Sequence, residues 1–433
     1  MQTVKLIICA VVFLTASLAQ AKAYDQFAAD ATCASAVEAS CDCPKCSREP
    51  MACDDCQKIF KTCGILDQWG ISLGGHLQQG VTTNSRNPTN PPAGVGNFPA
   101  TQWNYRNDEY MLNQLLLTVG RETDTDGCGW DIGGEVDIVY GTDYIFLQSR
   151  GLETRGDLTN HWNSDEGVGN DGNGLMGIAL PQMYLEVAHD DLTVMLGHFY
   201  HPLGYERRVP TENDYYSNTY GFTFSFEQFQ VTGVNADWKL NDRVTIGGGF
   251  TRGMENWEDN NDNLNGFGVL NWTSCDDNTS FSFVFDIGKE DDAGRAIRYL
   301  HSVIFETEIH DRWSYVFYSD FGFQQDALAG GGTAYWYNIV QYVAYQINPC
   351  WTAGIRFEWF DDIDGFIVDP TPGPGVFYDL TLGLNYKPND NVILRPEVRW
   401  DWFDADPGVG PGPFGDGTER SQFMAAVDVI FTF

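Results

Sequence analysis

Residues 391–403 read NVILRPEVRWDWF, and in most of this run apolar and charged side chains alternate one by one. Successive side chains of a β-strand point to opposite faces of the sheet. One face would carry Val392, Leu394, Pro396, Val398, Trp400 and Trp402, and the other Asn391, Arg395, Glu397, Arg399 and Asp401. The pattern predicts a strand that is apolar on one side and strongly charged on the other.

The same period of two recurs in about sixteen runs, and no convincing long amphipathic helix interrupts them. The runs lie near 68–80, 108–122, 129–141, 181–189, 191–200, 222–240, 243–252, 265–274, 279–289, 297–310, 312–325, 333–348, 350–360, 376–387, 391–403 and 421–433. Sixteen antiparallel strands of this kind predict an all-β fold, a transmembrane β-barrel preceded by a small Cys-rich segment.

Short and long connections alternate along the chain. Short ones fall at Asn241-Asp242, His310-Asp311 and Asn348-Pro349, whereas long ones cover 81–107, 142–180, 201–221, 253–264, 326–332, 361–375 and 404–420. Membrane barrels have short turns on the periplasmic side and long loops on the extracellular side. A soluble sandwich has no reason to keep that order.

Aromatic residues mark both ends of the apolar faces. Trp130, Trp313 and Trp351 lie beside short turns, and Tyr140 and Phe323 lie eight to ten residues further along the same faces. Ten tilted strand residues cover roughly 25 Å, the height of the lipid-facing band between two aromatic girdles. An ordinary protein core would not concentrate aromatics at both strand ends, so the apolar face is predicted to meet lipid.

The opposite face is too highly charged for a dry interior, because each unpaired buried charge would cost several kcal/mol. We therefore predict a water-filled lumen, which a barrel of about sixteen strands is wide enough to hold. Acidic residues outnumber basic ones on this face, which favours cations. The predicted lumen residues are Glu135, Asp137, Glu186, Asp237, Glu306, Asp320, Arg356, Glu358, Arg395, Glu397 and Arg399.

Two motifs resemble a known family. The run 394–401, LRPEVRWD, and the run 197–206, GHFYHPLGYE, resemble the β-barrel porin family related to OmpL. The resemblance covers about 67–433 and implies a porin-like barrel without identifying a solute. The terminal Phe433 is similar to the ending by which outer-membrane proteins are recognised for assembly.

With both termini in the periplasm, 201–221 is the third long loop. The chain resembles general porins in architecture, and in those the third loop narrows the lumen. We expect the same here, with the loop charges Glu206, Arg207, Arg208, Glu212 and Asp214 setting the electrostatics of the constriction. The alternative is an ordinary exposed surface loop.

The N-terminal part divides into two segments. Residues 1–21 carry Lys5, an apolar run and small residues near a cleavage site, so they are predicted to be a signal peptide. Residues 22–66 form a Cys-rich periplasmic segment, and 67–433 form the barrel.

Cysteines in an exported chain favour disulfides. The candidates are Cys33, Cys41, Cys43, Cys46, Cys53, Cys56, Cys63, Cys128, Cys275 and Cys350. Pairing of some of the last three with the N-terminal group would staple that segment under the barrel; zinc binding by the N-terminal group is the alternative.

The net charge and the positions of the histidines argue against other classes of function. The formal net charge of −35 disfavours nucleic acid as a partner. There is no evident catalytic grouping of histidines, so no enzyme, catalytic residue, metal or cofactor is expected. The expected partners are outer-membrane lipid, small hydrophilic solutes or cations, and other copies of the chain. The prediction is a porin in the outer membrane of a bacterium with a two-membrane envelope; a surface adhesin on a closed barrel is the alternative.

Overall fold

The computed structural model describes residues 65–433 except 92, 102, 126, 156–160, 162–174, 214–218, 228 and 369–371. A short helix, α1 (Ile65–Gln68), precedes sixteen strands. The strands are β1 (Ser72–Asn84), β2 (Tyr110–Arg121), β3 (Trp130–Gly141), β4 (Gly177–His189), β5 (Leu192–Tyr200), β6 (Gln230–Asn241), β7 (Val244–Met254), β8 (Asn265–Thr273), β9 (Thr279–Lys289), β10 (Ile297–His310), β11 (Trp313–Leu328), β12 (Gly332–Asn348), β13 (Trp351–Asp362), β14 (Gly375–Asn389), β15 (Val392–Ala405) and β16 (Ser421–Thr432). Three 3-10 helices lie in the connections, at Thr142–Phe146, Pro210–Glu212 and Thr223–Phe226.

The strands form one closed antiparallel barrel. Each strand pairs with its neighbours in sequence, and β1 closes the ring against β16, with Val81 opposite Val427. Closure leaves no sheet edge, so backbone donors and acceptors are satisfied between strands. The predicted fold class and strand number are confirmed. Within the described residues, no helix combines the length and apolarity needed to cross a membrane.

The connections keep the order that the sequence predicted. Tight turns such as 311–312, between β10 and β11, and 349–350, between β12 and β13, lie at the end of the barrel where β1 begins. The long connections lie at the other end. We name three of them: L1 (85–109), L2 (142–176) and L3 (201–229).

The outward faces of the strands are apolar and exposed. Large hydrophobic side chains on this surface include Leu117, Trp130, Ile132, Tyr140, Leu185, Leu196, Trp238, Phe250, Ile355, Leu382 and Trp400. Aromatic pairs mark the turn end, where the rings of Trp313 and Tyr345 lie 4.6 Å apart, and the loop end, where those of Tyr378 and Trp402 lie 5.0 Å apart. Such girdles form because Trp and Tyr combine an apolar ring with a polar atom at the headgroup level.

The largest error in a predicted strand boundary is at the sixth strand. The sixth strand begins at Gln230 and not at 222, because Thr223–Phe226 form a 3-10 helix inside the barrel. The alternating Phe222, Phe224 and Phe226 are buried or partly buried against other interior side chains and do not face lipid. The predictions for the signal peptide and for the cysteines from Cys33 to Cys63 lie outside the described residues.

An apolar cluster fills part of the barrel near the loop end. We call it the lumen core and define it by Leu203, Phe222, Trp336, Phe360, Phe377 and Phe403, all buried. Four of these residues come from the loop ends of β12 to β15, and the other two belong to L3. L3 is therefore a packed part of the barrel interior.

Candidate functional site

L3 runs inside the barrel and contacts the inward faces of several strands. The ring of Tyr205 lies 5.0 Å from that of Tyr342 on β12. Glu206 Oε1 lies 2.7 Å from Arg356 Nη1 on β13, and both side chains are buried. The structure thus places the described part of the predicted constriction loop in the lumen; Asp214 lies outside the described residues.

Three wall arginines hold the L3 backbone. Arg356 Nη2 donates to Thr219 O at 2.7 Å, Arg395 Nη1 donates to Pro210 O at 3.2 Å, and Arg399 Nη1 donates to Tyr220 O. Each arginine is at most 2% exposed and also pairs with a wall carboxylate, as Arg356 does with Asp379. We call Arg356, Arg395 and Arg399 the arginine latch. Charge-assisted hydrogen bonds of this kind are about twice as strong as neutral ones.

Two wall carboxylates also bind the L3 backbone, as hydrogen-bond acceptors. Glu358 accepts the backbone N–H groups of Phe222 at 2.7 Å and Thr223 at 2.6 Å. Glu397 accepts the N–H of Thr219 at 2.8 Å. Gly221 permits this approach, because a Cβ at that position would lie 2.7 Å from Glu358 Oε2.

A second buried group ties the start of L3 to its end. Arg208 Nη2 lies 3.4 Å from Glu227 Oε2, and the Arg208 guanidinium lies 5.2 Å from the centre of the Phe229 ring. The hydroxyl of Tyr318 on β11 lies within hydrogen-bond distance of the carboxyl groups of Glu227 and Asp320, and its oxygen is 2.6 Å from Asp320 Oδ2. Burial raises the pKa of Glu227 well above the ordinary range of a carboxyl. Gly204 has a φ of +91°, and a Cβ there would overlap the Glu227 carboxylate.

The eleven predicted lumen residues all lie on inward faces, but they fall into two sets. Seven are buried: Asp137, Asp320, Arg356, Glu358, Arg395, Glu397 and Arg399. Glu135, Glu186, Asp237 and Glu306 are partly exposed. The buried residues other than Asp137 contact L3 or lie beside residues that contact L3. Water reaches the four partly exposed residues.

The partly exposed carboxylates lie mostly on neighbouring strands, β3 to β6. Gln182 Nε2 donates to Glu135 at 2.6 Å and to Asp137 at 2.9 Å. Asn235 Nδ2 donates to Asp237 at 2.6 Å. Glu306 instead lines a cavity of about 470 Å³ at the turn end, together with His310, Arg312 and Thr352. On L3, Arg207 and Glu212 are exposed, whereas Glu206 and Arg208 are buried.

The remaining predicted site residues lie away from the lumen. Cys128, Cys275 and Cys350 belong to the turns after β2, β8 and β12, at the end of the barrel where β1 begins. Among the described residues, no three His, Cys, Asp or Glu side chains are grouped so that they could hold a metal ion. Sequence reasoning missed Glu227, because the residues around it were assigned to a strand.

A closed sixteen-stranded barrel with an apolar outer band and a loop bound inside its lumen defines an outer-membrane channel of the porin class. The family comparison agrees with this class. Residues 70–433 match the family described as "Putative beta-barrel porin-2, OmpL-like", and the chain belongs to this family. The predicted family, the porin function and the location in a bacterial outer membrane are confirmed.

Solved structures of similar fold include a porin, an outer membrane channel and an outer membrane protein. The anion-selective porin from Comamonas acidovorans is 12% identical, with a TM-score of 0.56, covering 84% of this chain and 99% of that one. The outer membrane channel DcaP of Acinetobacter baumannii is 11% identical, with a TM-score of 0.51, covering 84% and 97%. OmpT of Vibrio cholerae in its trimer form is 8% identical, with a TM-score of 0.50, covering 84% and 99%. A search of curated protein sequences finds no match.

Proposed function

We propose that this porin passes small hydrophilic solutes or ions by passive diffusion through a lumen that L3 constricts. The observation that carries the proposal is the set of hydrogen bonds from the arginine latch to three L3 carbonyl oxygens. A loop held at several points of its backbone narrows the lumen permanently and does not move freely at the surface. The proposal includes no catalytic step and no cofactor.

We further propose a mild preference for cations. The latch arginines are buried in pairs with carboxylates, so their charges are locally neutralised. Glu135, Glu186 and Asp237 are partly exposed and make no ion pair to Lys or Arg among the described contacts. Carboxylates along a water-filled pore favour cations. The Comamonas porin is anion-selective by name, and at 12% identity it indicates the fold alone.

Planar-bilayer recording tests both parts of the proposal. Deleting 206–214 should raise single-channel conductance, because it shortens the loop that lies in the lumen and removes Glu206, Arg208 and Pro210, which bind it to the wall and to itself. An unchanged conductance would exclude the constriction role of L3. A reversal potential in a salt gradient should show cation preference, and an anion-selective value would contradict the acidic lumen.

A second function has one observation in its favour. The lumen core packs the loop end of the barrel with apolar side chains, as expected of a closed barrel that presents L1 and L2 for binding or adhesion. Liposome swelling separates the two functions: a porin makes liposomes permeable to small sugars, whereas an adhesin on a closed barrel does not.

We also propose two assembly features. The chain forms a homo-oligomer, an idea supported by the trimer form named for the Vibrio cholerae structure; mass measurement in detergent tests it. Some of Cys128, Cys275 and Cys350 pair with cysteines of the 33–63 group and fasten that segment under the barrel. Mass mapping without reduction tests the pairing, and reduced thiols at all three turns would refute it.

A further inference from the structure

An apolar groove crosses the outer wall of the barrel near the turn end. It runs over β11 to β15 and has a volume of about 610 Å³. The side chains that line it are mostly apolar and include Trp313, Val343, Ile355, Leu382, Pro396 and Val398. Ile355 and Leu382 are exposed on the outer surface, so the groove opens towards the bilayer and not towards the lumen.

Ala353 on β13 is the small residue at the floor of this groove. Its neighbours on the outward face are larger in every direction. Trp351 and Ile355 lie on either side of it along β13, and Tyr345 and Leu384 lie opposite it on the two adjacent strands. One methyl group among four larger side chains leaves a depression that the barrel itself does not fill. An occupant that fits the depression gains the dispersion contacts that empty space forfeits.

The dimensions of the groove suit a hydrocarbon chain. Its 610 Å³ is about four times the roughly 150 Å³ of an apolar cavity that binds benzene. It crosses five strands, so it is roughly 19 Å long at about 4.8 Å per strand. A lipid acyl chain is long, narrow and apolar, and it therefore matches the groove in shape and in polarity.

Aromatic residues at the turn end mark where the headgroup of such a lipid would lie. The rings of Trp313 and Tyr345 are 4.6 Å apart, and both residues line the groove. The rings of Trp351 and Tyr386 are stacked beside them, 4.3 Å apart. Trp and Tyr place a polar atom at the headgroup level. The groove therefore leads from the headgroup region of the periplasmic leaflet into the hydrocarbon.

At this depth only an acyl chain or another membrane protein can fill the groove, and a second copy of the chain fits it less well. One row of side chains is about 7 Å wide along a strand, so the footprint of the groove is roughly 130 Å². A stable protein interface buries about 800 Å² on each partner. The groove is therefore sized for a lipid chain and not for a barrel wall.

We propose that this groove binds one acyl chain of a glycerophospholipid in the periplasmic leaflet, with the headgroup held at Trp313 and Tyr345. Lipid tails are as apolar as leucine side chains, so close packing, and not the hydrophobic effect, retains the chain. The site lies on the outer wall and does not depend on whether the lumen conducts.

Native mass spectrometry of the barrel in mild detergent tests the site. The wild type should retain one phospholipid, and Ala353→Trp, which fills the groove, should lose it. The matched control is Ala236→Trp on the outward face of β6. Ala236 lies two residues from the exposed Trp238, as Ala353 lies two residues from Trp351. Equal retention in the two variants, or no lipid on the wild type, would overturn the inference.

Photolabelling of the unaltered protein needs no substitution. A phospholipid with a diazirine in the middle of one acyl chain should label 351–357 and 382–398 more heavily than the outward positions of β6 and β7. Even labelling around the barrel would indicate ordinary surrounding lipid and would refute the site. A lower oligomer mass for Ala353→Trp, with lipid retention unchanged, would assign the groove to a second copy of the chain and refute the proposal as well.

Discussion

Replacing Arg356 with methionine should release L3 from the barrel wall and open the lumen. Arg356 donates to Glu206 Oε1 and to Thr219 O, each at 2.7 Å, and it is fully buried. Each hydrogen bond from a charged group contributes about 1.5–3 kcal/mol, and removing one partner of a buried ion pair costs about 3–5 kcal/mol. Methionine fills the space without replacing either bond.

The expected effect is large because the whole loss of free energy acts on one local equilibrium, the docking of L3 against the barrel wall. A loss of about 3–5 kcal/mol shifts the balance between docked and undocked L3 by roughly two to three and a half orders of magnitude. Single-channel recording should show a higher conductance level, with transitions between levels if docking becomes marginal. The matched control is Lys387→Gln, which removes a positive charge from an exposed position on β14.

A double variant separates loop release from misfolding. Arg356→Met leaves Asp379 buried without its closest arginine partner, and adding Asp379→Asn removes that uncompensated charge. The double variant should be more stable than the single one while its conductance remains high. Conductance and current noise equal to wild type in a folded Arg356→Met barrel would refute the argument that this residue holds the loop.

Three further predictions concern other parts of the molecule. Gly221→Ala should weaken L3 docking and raise conductance, because its Cβ would displace the Glu358 carboxylate; bilayer recording measures this. Leu382→Arg, on the outward face of β14, should cost about 2–4 kcal/mol of folding free energy in lipid, read from urea unfolding in vesicles. Burial raises the pKa of Glu153 in L2 to about 7. Because the folded-state pKa lies above the ordinary value, docking of L2 should be most stable below the ordinary pKa of the carboxyl and weaken as the pH rises towards 7. Limited proteolysis of L2 should therefore be faster at pH 8 than at pH 6, and Glu153→Gln should reduce this difference.

Much of the fold could be predicted because each strand carries its own signal. Lipid on one side and water or polar side chains on the other force a period of two, so β15 is recognisable from 391–403 alone. Glycine and acidic turn residues then separate one run from the next. The error at 222–229 has the same origin, because Phe222 to Phe226 alternate like a strand but meet the lumen core and other buried side chains.

The candidate site was only partly predictable. The charges of β13 and β15 could be assigned to the inward face from the alternation, and L3 could be expected in the lumen from the resemblance to general porins in architecture. The pairing of L3 charges with wall charges could not be predicted, because Glu206 and Arg356 are 150 residues apart and meet only when the barrel has closed. The sequence did not indicate the role of Gly204 and Gly221, because that role is to leave room for carboxylates of residues distant in the chain.

By itself, the sequence determined the barrel, its approximate strand number and which face of each strand is charged, because these follow from local periodicity and from the solvents on the two sides. Only the tertiary structure decided which of those charges are buried against L3 and which are open to water. That division depends on where one loop lies inside a closed ring, and long-range contacts of L3 with strands that include β11, β12, β13 and β15 set its position.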